Sequence, residues 1–221
     1  MDLYNNKRAA IFDMDGVLVV NMKFHELAFY EFGRRHDVDI SRDFFLQHIT
    51  GSTNERIMVK LFENISEKDI ELFSEEKETI YREMYAPEMK PTEGLLAFLD
   101  YLQAKEIGMA VASNAPMDNI HFVLQALQLE SYFPVVLNGT MVANPKPAPD
   151  MFLKAAELLG AKARHSVVFE DAPGGIRAAN AAGMKAVGLL TSHSIEELGR
   201  TDLAISDFNT SELYDFWNKL N

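Results

Sequence analysis

The hydrophobic positions of the chain follow two patterns. From about residue 91 onward, short apolar runs with strand character alternate with segments of helical spacing, which is typical of a parallel α/β sheet. The strand-like runs are 108–112, 135–137, 166–169, 186–190 and 203–205, and the helical runs are 94–105, 119–128, 149–159, 174–182 and 211–219. An earlier apolar run, 9–12, has the same strand character, so we expect it to join the same sheet.

A second pattern fills residues 22–86. This segment contains little glycine or proline, and its apolar residues recur at helical spacing, as in Phe24, Leu27, Ala28 and Phe32. It therefore predicts a small all-helical unit inserted after the first strand. We place the inserted unit at residues 20–88 and the α/β core at residues 1–19 and 89–221.

Composition and charge narrow the possible functions of the 221-residue chain. There is no cysteine, which excludes disulfides, thiolate metal sites and a cysteine nucleophile. A formal net charge of −12 argues against non-specific binding to nucleic acid or to anionic membranes. No apolar stretch approaches the roughly 20 residues that a membrane-spanning helix needs, and the first residues do not resemble a signal peptide. We expect a cytoplasmic protein, and a monomer.

Polar residues follow three of the predicted strands at the point where each strand ends. The carboxyl ends of parallel strands meet at one edge of a sheet, where open α/β folds bind ligands. The three polar pairs are Asp13 with Asp15, Ser113 with Asn114, and Glu170 with Asp171. A fourth element is Lys146, which lies between two prolines that restrict its backbone. These residues are predicted to converge on one crevice.

Carboxylates so close together repel each other, and burying them costs still more. A hard divalent cation such as Mg²⁺ prefers oxygen ligands and offsets that repulsion, so we expect Glu170 and Asp171 to hold a metal ion shared with a phosphate. This arrangement predicts phosphoryl transfer. Asp13 is then suited to attack phosphorus, Asp15 to protonate the leaving oxygen and later activate water, and Ser113 and Lys146 to bind phosphate oxygens.

The order of these elements resembles the haloacid dehalogenase superfamily. The matching motifs are D-x-D-G-V-L at 13–18, V-A-S-N at 111–114, K-P-A-P-D at 146–150 and E-D-A-P-G-G-I at 170–176, and they extend over nearly the whole chain. The resemblance implies a Rossmann-like parallel-sheet core with an inserted all-helical cap domain. It also implies that Asp13 is the nucleophile, Asp15 the acid/base, Ser113 the phosphate-binding hydroxyl and Lys146 the motif lysine. The implied ligands of Mg²⁺ are Asp13, the backbone carbonyl of Asp15, and Asp171, with Glu170 adjacent.

Within that superfamily the chain is most similar to the β-phosphoglucomutase and sugar-phosphate phosphatase branch. His25 and Lys77 stand where that branch has a cap histidine and a sugar-contacting lysine. Both residues also have simpler interpretations. His25 fits a packed or surface histidine equally well, and the charged stretch around Lys77 favours a solvated helix face with ion pairs. Asn114 is expected to be partly structural.

Two departures from the mutase pattern favour a phosphatase. The mutase has an arginine after Gly51 that grips a second phosphate, whereas this chain has Ser52, Thr53 and Asn54; the mutase also has a threonine in place of Asn21. The expected function is a Mg²⁺-dependent phosphatase acting on a small phosphorylated metabolite, such as a sugar phosphate, through an aspartyl-phosphate. The alternatives are a β-phosphoglucomutase-type mutase and a non-catalytic phospho-ligand sensor or receiver-like module. A receiver needs neither Asp15 nor an insertion of this length.

Overall fold

A computed structural model describes residues 7–49 and 52–220 of the chain. The chain divides into two compact units. A core unit is formed by the residues up to Val20 and from Lys90 onward, and a helical unit is formed by Asn21–Met89. Gly51, which precedes one departure from the mutase pattern, lies outside the described residues.

The described residues contain six strands and ten segments of α-helix. The strands are β1 (Ala9–Phe12), β2 (Gly108–Ser113), β3 (Val135–Asn138), β4 (Ser166–Glu170), β5 (Lys185–Leu189) and β6 (Leu203–Ile205). The helices are α1 (Met22–Arg35), α2 (Arg42–Phe44), α3 (Asn54–Leu61), α4 (Glu67–Tyr85), α5 (Leu95–Ala104), α6 (Met117–Ala126), α7 (Asp150–Leu158), α8 (Pro173–Ala181), α9 (Ile195–Leu198) and α10 (Ser211–Lys219). None of these helices is both long and apolar enough to cross a bilayer.

The strands of the core unit form one parallel sheet in the order β3-β2-β1-β4-β5-β6. The chain order reverses on either side of β1, which pairs with β2 on one side and with β4 on the other. Such a reversal opens a crevice at the carboxyl ends of the strands. The expected α/β class with a Rossmann-like core is confirmed.

Helices cover both faces of the sheet, which is why its strands read as continuous apolar runs. Helices α7 and α8 pack against one face, and α5 and α10 pack against the other. On the second face an aromatic cluster forms around Phe12, whose ring stacks on that of Phe169 with centroids 4.6 Å apart. Trp217 of α10 is fully buried beside Phe169. Because Phe12 and Phe169 directly precede Asp13 and Glu170, this cluster supports the residues at the strand ends.

In the helical unit α4 packs against both α1 and α3. Polar N-caps begin three of its helices: Ser41 for α2, Thr53 for α3 and Ser66 for α4. The apolar interior is largely aromatic and includes Phe29, Phe32, Phe45, Tyr81 and Tyr85, each at most 2% exposed. Part of the helical pattern was misleading, since Leu27 is 40% exposed although it lies among apolar residues.

The structure also refines the ends of the predicted strands. Ser113 and Glu170 are the last residues of β2 and β4 rather than the first residues of loops, because Ser113 is paired with Asn138 and Glu170 with Gly188. The short helix α9 was not predicted, because four residues are too few to show helical spacing. It begins with a capping box.

Candidate active site

The site is built where β1 and β4 end side by side. The backbone N–H of Asp13 donates to the carbonyl of Phe169 at 3.0 Å, which extends the pairing by one residue beyond Phe12. The residues Asp13, Glu170 and Asp171 are all buried, with 7%, 2% and 4% of the residue surface exposed. Ligand oxygens from these three carboxylates lie within 4.8 Å of one another. The predicted convergence therefore occurs at the switch in strand order.

Lys146 bridges two of the carboxylates. Its Nζ donates to Asp13 Oδ1 at 2.6 Å and to Glu170 Oε1 at 2.7 Å, and only 5% of the side chain is exposed. The ammonium also lies 4.8 Å from the centroid of the Phe152 ring. Asn114 Nδ2 donates to the backbone carbonyl of Lys146 at 3.3 Å, so Asn114 braces the loop that carries the lysine. Charge-assisted bonds of this kind hold both partners in a defined geometry.

Glu170 has little freedom to move. Its Oε1 accepts from Lys146, and its Oε2 accepts from the backbone N–H groups of Asp171 and Ala172, each at 3.0 Å. The carboxylate also lies against Gly175 in the first turn of α8, where a Cβ would overlap it. Gly16, at φ +76°, allows the same close approach by the Asp171 carboxylate. Two glycines thus make room for two acids.

The site carries more negative than positive charge. Burial raises the pKa of Asp13 from 3.8 to about 7; Lys146 opposes that rise, and Glu170 and Asp15 add to it. Burial, followed by Glu170 and Asp13, also raises the pKa of Asp171 well above its ordinary value. Burial alone would lower the pKa of Lys146, but Asp13 and Glu170 raise it above its ordinary value. The Lys146 ammonium therefore bonds two of the three buried carboxylates, and a bound divalent cation would favour the ionised forms of all three.

The remaining predicted core residues lie at the same edge of the sheet. Ser113 is 2% exposed, and its Oγ accepts from the backbone N–H of Ala115 at 3.2 Å. Asp15 follows Asp13 by two residues and forms an isolated bridge with Val19. Its carboxylate does not belong to the three-acid cluster found among the described residues.

His25 and Lys77 come together within the helical unit. Lys77 is only 2% exposed, so the favoured interpretation of it as a solvated lysine is wrong. Its Nζ donates to Glu78 Oε1 at 2.8 Å, lies 3.2 Å from His25 Nδ1, and sits 4.5 Å from the centroid of the Phe29 ring. The imidazole of His25 stacks on Tyr81 with centroids 3.9 Å apart. The charged run did not reveal this buried polar cluster, because His25 and Asn54, which contact the Lys77–Glu78 pair, come from other helices.

The residues that depart from the mutase pattern belong to the same unit. Asn54 Nδ2 donates to Glu78 Oε1 at 2.6 Å, and the Oγ1 of Thr53 caps α3 by accepting from the N–H of Arg56. Asn21 Nδ2 donates to the Tyr81 hydroxyl at 2.6 Å. Asn54 and Thr53 are thus neutral side chains with hydrogen bonds inside the helical unit, in the stretch where the mutase pattern has an arginine.

We expect the Glu78→Gln variant to be less stable by an amount that depends on pH. Burial alone would raise the pKa of Glu78, but Lys77, His25 and Asn54 lower it to about 2, below the value of 4.5 expected in the unfolded chain. Its contribution to the free energy of unfolding is then fully present above pH 4.5 and lost as the pH falls through 2. At neutral pH the contribution is on the order of 3 kcal/mol.

Urea unfolding followed by circular dichroism between pH 7 and pH 3.5 measures this difference. The gap between wild type and Glu78→Gln should narrow below pH 4.5. Glu83→Gln, at an exposed position on the same helix, should match wild type throughout. A gap that stays constant with pH would contradict the ion pair.

Sequence reasoning missed three residues that shape the site. Gly175 follows another glycine, and the sequence does not show which of the two must lack a side chain. Thr191 and His193 follow β5, where Thr191 Oγ1 donates to the carbonyl of Gly16 at 2.6 Å and His193 Nδ1 lies 2.9 Å from the carbonyl of Asp171. Their position after a strand on the same edge of the sheet was the available signal.

Comparisons with known proteins agree with this geometry. A family model described as haloacid dehalogenase-like hydrolase matches residues 10–189. Fructose-1-phosphate phosphatase of Escherichia coli is 32% identical over 192 residues, which cover 84% of this chain and 97% of that protein. The β-phosphoglucomutase of Bacillus subtilis is 28% identical over 225 residues, which cover 96% of each chain. The crystal structure of a family IA, variant 3 hydrolase from Entamoeba histolytica superposes with a TM-score of 0.85 at 29% identity, covering 96% of this chain and 99% of that one.

Proposed function

The chain belongs to the haloacid dehalogenase-like hydrolase family, and from that premise we propose that it is a phosphatase that hydrolyses a sugar phosphate through an aspartyl-phosphate at Asp13. The observation that carries the proposal is the position of Lys146, whose ammonium bridges Asp13 and Glu170 where the strand order reverses. A buried carboxylate held by a buried cation is suited to nucleophilic attack, because the cation favours the ionised form of the carboxylate and fixes the direction of its oxygen.

The reaction has two balanced steps. In the first, an oxygen of Asp13 attacks phosphorus, the bond from phosphorus to the ester oxygen breaks, and Asp15 gives its proton to the leaving alcohol. In the second, Asp15 takes a proton from water as that water attacks phosphorus, and the bond between phosphorus and the Asp13 oxygen breaks. Asp13 is regenerated, inorganic phosphate leaves, and Asp15 is protonated again for the next cycle.

Ser113 is proposed to bind the phosphoryl group. Its Oγ accepts from the N–H of Ala115 at 3.2 Å, which orients the hydroxyl so that its own proton can be donated to a phosphate oxygen. Lys146 neutralises charge beside the same group. Asn114 acts indirectly, through its bond to the Lys146 carbonyl.

The acid cluster fits a divalent cation, because only two of its three buried carboxylates bond the Lys146 ammonium and their oxygens form a hard donor set. Asp13, Glu170 and Asp171 would hold the ion, together with the backbone carbonyl of Asp15 that the family resemblance implies. When bound, Mg²⁺ would neutralise charge that develops on the phosphoryl oxygens.

The helical unit is proposed to be the cap that selects the substrate, with His25 and Lys77 as its substrate contacts. This assignment comes from the family resemblance. The charge of Lys77 is balanced by Glu78 at 2.8 Å, so the pair offers hydrogen bonds with little net charge. That chemistry suits the hydroxyl groups of a sugar better than a second phosphate.

A mutase is the second candidate, because the chain resembles β-phosphoglucomutase along nearly its full length and shares the cap lysine. A mutase must retain a bisphosphate intermediate, for which a bidentate arginine is the natural clamp. Here Thr53 caps α3 and Asn54 is bonded to Glu78, and neither carries charge. The phosphatase is therefore preferred.

The direct test is release of inorganic phosphate from an aryl phosphate and from a panel of phosphorylated metabolites, with Mg²⁺ and with EDTA. We expect Mg²⁺-dependent release that is highest for a sugar monophosphate. Release no greater than that of the Asp13→Asn variant across the panel would overturn the proposal. With β-glucose 1-phosphate and a bisphosphate primer, formation of glucose 6-phosphate without inorganic phosphate would favour the mutase.

A further inference from the structure

The segment 190–194, which joins β5 to α9, is held at both of its ends. At its start, the N–H of Leu190 donates to the carbonyl of Ile205 at 2.9 Å. At its end, Ser194 and Glu197 form a reciprocal capping box in which the N–H of Ser194 donates to Glu197 Oε2 at 2.8 Å. Thr191 and His193 lie between these two anchors, and their side chains reach the backbone of the active site. The backbone that carries them is therefore fixed at both ends.

Thr191 holds the turn that follows Asp15. Its Oγ1 donates to the carbonyl of Gly16 at 2.6 Å, while the N–H of Gly16 donates to the carbonyl of Val19 at 2.7 Å. The peptide groups on both sides of Gly16 are thus fixed. The carbonyl of Asp15 shares a planar trans peptide with the N–H of Gly16 and points the opposite way, so its direction is fixed as well.

His193 holds the peptide that follows Asp171. Its Nδ1 lies 2.9 Å from the carbonyl of Asp171, and because a carbonyl only accepts, Nδ1 carries the proton. The N–H of the same peptide, that of Ala172, donates to Glu170 Oε2 at 3.0 Å. Both polar groups of this peptide are therefore hydrogen-bonded, the carbonyl to His193 and the N–H to Glu170.

We propose that Thr191 and His193 form a clamp that positions the Asp15 carbonyl and the Asp171 carboxylate, and that the clamp thereby sets the affinity of the core unit for a divalent cation. The inference rests on the function proposed above. Both are positioning residues, since each acts through a backbone carbonyl. Removing a hydrogen-bond partner of this outer kind typically weakens metal binding about 10- to 100-fold.

The test measures binding of Mn²⁺ to the full chain without substrate, by the electron paramagnetic resonance signal of the free ion. His193→Ala removes the donor, whereas His193→Asn keeps an amide N–H near the place of Nδ1. Thr191→Val keeps the shape of the side chain without the hydroxyl, and Thr191→Ser keeps the hydroxyl. His121→Ala, at an exposed position on α6, serves as the control.

We expect dissociation constants about 10-fold higher for His193→Ala and Thr191→Val, with His193→Asn and Thr191→Ser within about threefold of wild type. His121→Ala should bind like wild type. Thermal melting in EDTA identifies any variant that fails to fold. If a His193 variant fails to fold, the comparison of Thr191→Val with Thr191→Ser tests the clamp. Recovery by both conservative variants distinguishes the lost donors from a general packing defect.

Two results would overturn the clamp. If wild type binds Mn²⁺ and both donor-free variants bind it within twofold of wild type, the clamp is wrong and the proposed phosphatase stands. If the conservative variants bind as weakly as the donor-free ones, the effect is one of packing and not of positioning. Wild type that neither binds Mn²⁺ nor shows Mg²⁺-dependent turnover would overturn the proposed function itself.

Discussion

The Asp13→Asn variant should lose turnover by about 10⁴-fold or more on every phosphate ester, because an amide cannot take the place of the attacking carboxylate. The substitution preserves the shape of the side chain. It also removes a buried charge that the fold disfavours, as the pKa of about 7 for Asp13 indicates. We therefore expect the variant to melt at or above the wild-type temperature in EDTA, so that lost activity cannot be attributed to unfolding.

A comparison with Asp15→Asn separates the two proposed steps. An aryl phosphate has a good leaving group and needs little protonation, so Asp15→Asn should release aryl alcohol in one burst equal to the enzyme concentration and then stall. Asp13→Asn should show no burst. Asp118→Asn, at an exposed position on α6, should turn over like wild type. Turnover of Asp13→Asn within tenfold of wild type would exclude Asp13 as the nucleophile.

The Gly175→Ala variant should lose activity by at least about 100-fold although its position touches no substrate. A Cβ at this position would overlap Glu170 from Cγ to Oε1. Glu170 cannot yield cheaply, because it accepts from Lys146 and from two backbone N–H groups. Moving it would release Lys146 from one of its two carboxylates. Overpacking of this kind also costs about 1–3 kcal/mol of stability.

Gly174→Ala is a matched control one residue away in the same helix. A Cβ there would meet only Arg177 Nη2, at 3.9 Å, so nothing need move. Alanine also favours a helix relative to glycine, and this variant should be equal to wild type or slightly more stable. Steady-state kinetics and thermal melting of the two variants, made side by side, check the pair. Equal activities would show that Glu170 can shift without consequence.

The core of the site could be predicted from the sequence because parallel strands bring their carboxyl ends to one edge of the sheet. Asp13, Ser113 and Glu170 each come at the end of an apolar run, so their convergence could be expected from the fold class alone. Lys146 was found from its flanking prolines and its place in the motif order. That it bridges Asp13 and Glu170 could not be derived, since a bond between side chains 133 residues apart depends on the folded sheet.

The helical unit was harder to predict because charge along a helix does not reveal which neighbours face it. Lys77 lies in a run of four charged residues, yet it is buried because α1 supplies His25 and α3 supplies Asn54 to the Lys77–Glu78 pair. The clamp was missed for a related reason. A threonine and a histidine in a loop have no periodicity, and only the backbone carbonyls opposite them give them a role.

The position of β1 at the switch in strand order has a consequence for folding during synthesis. β1 leaves the ribosome first among the strands, but its partners β2 and β4 follow roughly 100 and 157 residues later. The helical unit, whose contacts are local, is complete before either partner exists. Until β4 emerges, Asp13 has neither Glu170 beside it nor a finished sheet beneath it. Nascent chains halted before residue 166 should therefore carry a folded helical unit and no catalytic centre.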